Sequence, residues 1–290
     1  MEQNQLQQQV QPQEVVVLQS EALQAMTKSE LDVSIVTAKQ YPRHLPTVLN
    51  KIQTYATMDT ETAEECFYVL RRGGSTIEGL SIRMAEIIAA SWGNLRVQAR
   101  IIANDGKTIT AQAGCHDLES NVAMVTEVKR RITDKYGRTY SDDMQTVTGN
   151  AALSIARRNA ILSVVPKAIT KKIIAEVKQV AMGQALDLET SRQNMVEYFA
   201  KLGATEEMVL HYLGITKREE IDKEMVFELR GLANAIKEGT STTEEAIIKP
   251  FRDAKVAEAA EKKSATAAEK AQAAMNKAGK QTEIESVEGK

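Results

Sequence analysis

The chain has 290 residues, 43% of them apolar, and a formal net charge of −2. That is apolar mass enough for one or two folded domains, and it excludes a globally disordered polyelectrolyte. Two cysteines cannot build a disulfide framework, no run approaches the roughly 20 apolar residues of a membrane span, and the N-terminus lacks the pattern of a secretory signal, so a cytoplasmic protein is expected.

The first thirteen positions hold seven Gln, and residues 1–28 read as a disordered Gln-rich tail. From Pro46 to Met58 the apolar positions recur at helical spacing, with Pro46 suited to a first turn. Cys66 to Leu70 predicts a short strand ending at Arg71-Arg72-Gly73-Gly74-Ser75, which is either a plain turn or a cradle of backbone N–H groups for an anion. Ser81 caps an apolar helix that carries Ile82, Met84, Ala85, Ile87, Ile88 and Trp92 and closes at Gly93-Asn94.

Three strands follow. Leu95, Val97, Ala99 and Ile101 alternate with Arg96, Gln98 and Arg100, which predicts one face inward and a cationic face outward. Asn104-Asp105-Gly106-Lys107 carries a hairpin signal leading into Thr108–Gly114. After a turn around His116–Asn121, Val122, Met124, Val128 and Ile132 share one face of a third strand, with Glu127, Lys129 and Arg131 on the other. Ser141-Asp142-Asp143 opens a long apolar helix to about Val165, Pro166 interrupts it, and Lys167–Met182 resumes as a helix.

These elements predict an α+β fold: a three-stranded antiparallel β-meander packed on helices with a long central helix, plus a small C-terminal three-helix module. The expected domains are 29–182 and 190–250, with a disordered Ala/Lys/Glu tail over 251–290. Capping boxes are read at Thr216 with Glu219 and at Ser241 with Glu244.

Between residues 129 and 172 ten Lys or Arg face three Asp, in a chain whose total is close to neutral. Such a concentration is the electrostatic footprint of a phosphate-binding surface. Lys129, Arg131, Lys135 and Arg138 lie at a strand end and its turn, and Arg157, Arg158 and Lys167 lie on or just after the next helix. If that helix packs beside the sheet edge, both groups line one groove. Tyr136 is the ring placed to stack on a base, whereas Trp92 reads as core. Arg96, Arg100 and Lys107 on the first hairpin extend the cationic surface or simply solubilise it.

Cys115-His116-Asp117 resembles a ligand cluster, yet successive strand residues face opposite ways, so no metal is expected there. The phosphate loop, the dinucleotide glycine fingerprint, HExxH and GxSxG are absent from the sequence, so neither a cofactor nor an enzymatic activity is expected. Two other classes stay open: a metal-dependent nuclease drawing on Asp117, Glu119, Asp142 or Asp143, and an assembly or adaptor protein whose helical module carries the function.

Four segments in order, Gly79–Ile88, Ala111–Asn121, Glu127–Ile132 and Thr148–Ala152 with Ala156–Ala160, give the chain a resemblance over about residues 40–182. It is similar to phage single-strand annealing proteins of the RecT, Redβ, Erf and Sak kind, which belong to a wider group with the eukaryotic Rad annealing proteins. The resemblance implies a homo-oligomeric ring or filament that binds single-stranded DNA along a basic groove and anneals complementary strands without ATP in phage recombination. It implies single-stranded DNA and the annealed duplex as partners, inside an infected bacterial host cell. It further implies that 190–250 meets a host replication protein or a phage exonuclease. Carried onto this chain, the groove uses Lys129, Arg131, Lys135, Arg138, Arg157, Arg158 and Lys167.

Overall fold

The computed structural model describes residues 27–72, 75–134, 136–183 and 188–261, and these divide into two compact units. Unit one holds the chain up to Cys66 and then Leu80–Ala181; unit two holds Phe67–Gly79 and the chain from Met182 onward. The fold is α+β, with a three-stranded antiparallel sheet and a helical C-terminal region.

In unit one, helix α1 (27–40) leads to α2 (Leu45–Ala56), which has Pro46 in its first turn. The next helix, α3 (Thr60–Glu65), is capped by the Asp59 carboxylate, which accepts from the Thr62 N–H at 2.7 Å. Ser81 caps α4 (Ile82–Trp92), and Gly93 and Asn94, both at positive φ, turn the chain into the sheet.

The meander consists of β3 (Leu95–Asn104), β4 (Thr108–Asp117) and β5 (Val122–Arg131), in that spatial order. In the first hairpin turn the Asp105 carboxylate accepts from the Lys107 and Thr108 N–H groups, and Gly106 supplies the positive φ. Central β4 alternates strictly, burying Ile109, Ala111, Ala113, Cys115 and Asp117. Onto that inner face packs α5 (Asp142–Val164), whose Gly149, Ala152, Ala156 and Ala160 form a narrow stripe that lets helix and sheet approach closely. A Cβ on Gly149 would stand 3.2 Å from the Ile109 methyl, and Thr126 of β5 donates to the Ala156 carbonyl at 2.9 Å. Beyond Pro166, α6 (Lys167–Met182) buries Thr170, Ile173, Val177 and Ala181 along one stripe.

Edge strand β3 departs from the expected alternation. From Gln98 onward it is exposed on both faces, Ile101 included, because an edge strand lacks a neighbour on one side. A bulge between Ile101 and Ala103 further shifts its register.

Unit two contains a hairpin that only half matches expectation. Strand β1 (Phe67–Arg72) was anticipated, whereas its partner β2 (Ser75–Leu80), a polar stretch with one β-branched aliphatic residue, was not. Although the sequence reading grouped these residues with the N-terminal domain, they pack with helix α9 (Lys223–Lys237). Gly231 makes this contact possible, since a Cβ there would fall within 2.4 Å of a Val69 methyl. The Asn234 amide donates to the Phe67 carbonyl at 2.9 Å, and the Arg71 guanidinium spans both Glu228 carboxylate oxygens.

Around α9 stand α7 (Leu188–Lys201), α8 (Glu206–Leu213) and α10 (243–261), which includes a π-helical turn at Glu244–Ile248. Phe199, Ile221, Leu229, Leu232 and Ile247 are the fully buried centre. Helix continues through 251–261, where a disordered tail was expected, and Phe251 packs edge-on against His211. The tails at 1–26 and 262–290 and the glycine pair at 73–74 lie outside the described residues. Neither capping box forms as read: after Thr216 stands a single 3-10 turn, Arg218–Glu220, without a side-chain cap, the Thr216 N–H donates to Glu220, and the hydroxyl that accepts from the Glu245 N–H belongs to Thr242.

Candidate nucleic-acid interface

Cross-strand register decides which cations share a face. Gln112 stands opposite Arg100 on one side and Glu127 on the other, Thr110 opposite Lys129, Thr108 opposite Arg131 and His116 opposite Arg96. All of these lie on the face of the meander away from α5. Among the described residues of the three strands, that outer face holds four cations, Arg96, Arg100, Lys129 and Arg131, and one carboxylate, Glu127.

Several of these side chains are held in place. The Arg100 guanidinium donates to the Gln112 oxygen at 3.3 Å and the Gln112 amide donates to Glu127 at 3.1 Å, a polar ladder across all three strands. Arg96 reaches Glu30 of α1 at 3.8 Å, and Lys129 reaches Asp105 at 3.7 Å. The Asp105 carboxyl is drawn down to about 2, chiefly by the Thr108 hydroxyl and the turn N–H groups, so its charge persists beside Lys129 at any physiological pH. Lys107 is exposed in the same turn.

The turn after β5 joins this end of the sheet. Asp134 accepts from the N–H groups of Tyr136 and Arg138 and from the Arg138 guanidinium, while the Thr139 hydroxyl donates to the Gly106 carbonyl. Tyr136 is 72% exposed, with the Arg138 guanidinium 5.4 Å from its ring centre. Lys135 lies outside the described residues.

The helix-borne cations do not join them, which corrects the expected single groove. Since α5 packs on the inner face, Arg157 and Arg158 stand across the sheet from Lys129 and Arg131. Arg157 bonds Glu86 of α4 at 2.5 Å, and Arg158 is only 6% exposed. Arg158 works within the core of unit one, whereas Arg157, its side chain 42% exposed, ties α5 to α4 nearer the surface. Lys167 is exposed at the start of α6.

Two carboxylates considered for metal chemistry are committed elsewhere. The Arg43 guanidinium grips both oxygens of Asp117 at 2.5 and 2.6 Å and one oxygen of Glu119 at 3.0 Å; the Trp92 indole adds a 3.3 Å bond to Asp117 and the Asn94 amide a 2.6 Å bond to Glu119. Burial pushes the Asp117 carboxyl up, but Arg43, the Glu119 N–H and Trp92 more than reverse this and hold it well below the usual carboxylate range. Asp142 and Asp143 sit in the first turn of α5, beside its positive end. Cys115 faces inward, with burial and then Asp117 raising its thiol to about 11, while His116 is on the outer face. Among the described residues no group of three or more His, Cys, Asp or Glu could hold a metal ion, and no helix is long and apolar enough to cross a membrane.

Sequence reasoning overlooked Arg43 and Gln112. Arg43 meets its partners 74 and 76 residues away and carries no local pattern; Gln112 was legible only as a polar residue opposite Arg100 in the predicted hairpin. No family model, no curated protein and no solved structure matches this chain.

Proposed function

We propose that unit one binds single-stranded DNA on the outer face of its meander and, as a homo-oligomer, anneals complementary strands without nucleotide hydrolysis. The observation that carries this reading is the sheet face opposite α5, whose strands hold four cations and one carboxylate, with Arg96 paired to Glu30 of α1, continued by Lys107, Arg138 and the exposed ring of Tyr136. The order of the annealing-type motifs supports it. Two polyanions repel one another, so annealing needs a surface that neutralises backbone charge while leaving base edges free to test pairing; the bases then stabilise the product. Such a task needs no acid–base residue. Unit two is assigned contact with a replication protein or exonuclease, and the setting is recombination in a phage-infected cell.

Annealing of labelled complementary strands without ATP tests this directly. Paired charge reversal at Arg100 and Lys129 is expected to abolish both annealing and strand binding, whereas reversal at exposed Lys201 of unit two leaves them intact. Affinity should fall with salt at a log–log slope of about −0.7 per phosphate contacted. Shortened strands in magnesium would instead favour a nuclease, and salt-independent or absent binding would remove the proposal.

A further inference from the structure

Where β3 forms the free edge of the sheet, a groove of about 380 Å³ runs between it and the first three turns of α5. Its depth is apolar, formed by Ile101, Ile109 and Leu153 beside Gly149, and its mouth carries the Asn104, Gln145 and Asn150 amides, the Thr146 hydroxyl and, at one end, the Asp142 carboxylate. Sites for small organic groups occupy roughly 300–1,000 Å³ and combine apolar walls with a few polar groups, and this groove matches at the small end. Nothing in the annealing reading uses it.

We infer that this groove accepts an unstacked nucleobase from the strand bound on the outer face, an inference that rests on the proposed single-strand binding. The argument is positional. Arg96 and Arg100 project from the outer face of β3, Lys107 follows at its end, and the groove opens along the same edge on the inner face. Arg96 and Arg100 are about 13 Å apart along the strand, the span of roughly four phosphates in a stacked chain at ~3.4 Å each. A backbone lying along this edge can therefore keep its phosphates on the cations while one base turns over the edge. The apolar depth covers its ring, and the Asn150 amide, both donor and acceptor, meets its pairing edge without selecting one base, while the Asn104 amide is held by Gln145 and the Gly106 N–H. A base held so is withdrawn from a duplex, which makes the groove a discriminator of single strands from paired ones.

The full-length chain is titrated with a 20-nucleotide strand and with a wholly abasic strand of equal length, read by fluorescence anisotropy. The expected result is about tenfold weaker binding of the abasic strand. Thr146→Trp, which fills the mouth, brings the normal strand to the abasic level and leaves abasic binding unchanged; Arg100→Glu weakens both equally. Asn150→Leu, a milder change, reduces the preference with an unaltered melting temperature and keeps the test open if the tryptophan variant misfolds. Equal affinity for both strands in the wild-type chain, or a parallel loss on both in Thr146→Trp, overturns the groove and leaves single-strand binding standing. Failure to bind either strand overturns both.

Discussion

At the scale of single residues, Arg43 joins distant segments of unit one. Its guanidinium ties the segment entering α2 to the end of β4 and to the turn beyond it, through Asp117 and Glu119. Both partners of the Arg43–Asp117 pair are largely buried, so removing one leaves a charge without compensation. Asp117→Asn is expected to lower stability by on the order of 2–3 kcal/mol in urea unfolding near neutral pH. The pH dependence has a definite sign. Asp117 is depressed in the folded state, so its contribution is complete above the unfolded carboxyl value of about 3.9 and fades as pH falls toward the lower folded value. Wild type and variant should therefore differ by a constant amount down to about pH 4 and converge below it. Divergence on acidification would contradict this account.

Elements show where charge counting misled. The cations between 129 and 172 are neighbours in sequence but belong to a strand, the turn after it and two helices, and the small-residue stripe of α5 presses that helix onto the inner face. A strand places alternate residues on opposite faces, so Lys129 and Arg131 point away from the helix that follows them. Arg158→Glu is accordingly expected to lower the melting temperature markedly, whereas Arg131→Glu leaves it nearly unchanged; differential scanning fluorimetry of the two separates a core role from a surface one. The meander, its Asp-Gly turn, the Ser81 cap and the helix break at Pro166 were legible because each has a local cause. Strand β2 was not, since Ser75, Thr76 and Glu78 offer no apolar alternation and the strand exists through its pairing with β1. The Arg43 clamp was hidden for a similar reason, its partners being distant in sequence.

At the scale of the whole molecule, the C-terminal helices do not make a self-sufficient appendage. Phe67, Val69 and Leu70 are buried within unit two, so a chain ending at Met182 would leave them uncovered. Such a truncation is expected to aggregate in size-exclusion chromatography. The Ser81 N–H donates to the Cys66 carbonyl at 2.9 Å, so the two ends of the hairpin lie side by side. Replacing 67–79 with a short Gly/Ser linker in the same truncation should restore a soluble unit one, and persistent aggregation would show that unit one needs more than the hairpin's removal. The same architecture imposes a schedule on the growing polypeptide. Phe67 emerges 167 residues ahead of Asn234, its bonding partner, and at about 5–20 residues per second of translation that is a wait of roughly 8–33 s. Until then the apolar side chains of β1 wait on a nascent chain whose first unit is itself complete only once Ala181 has emerged, and this is the point at which overexpression at high temperature would first go astray.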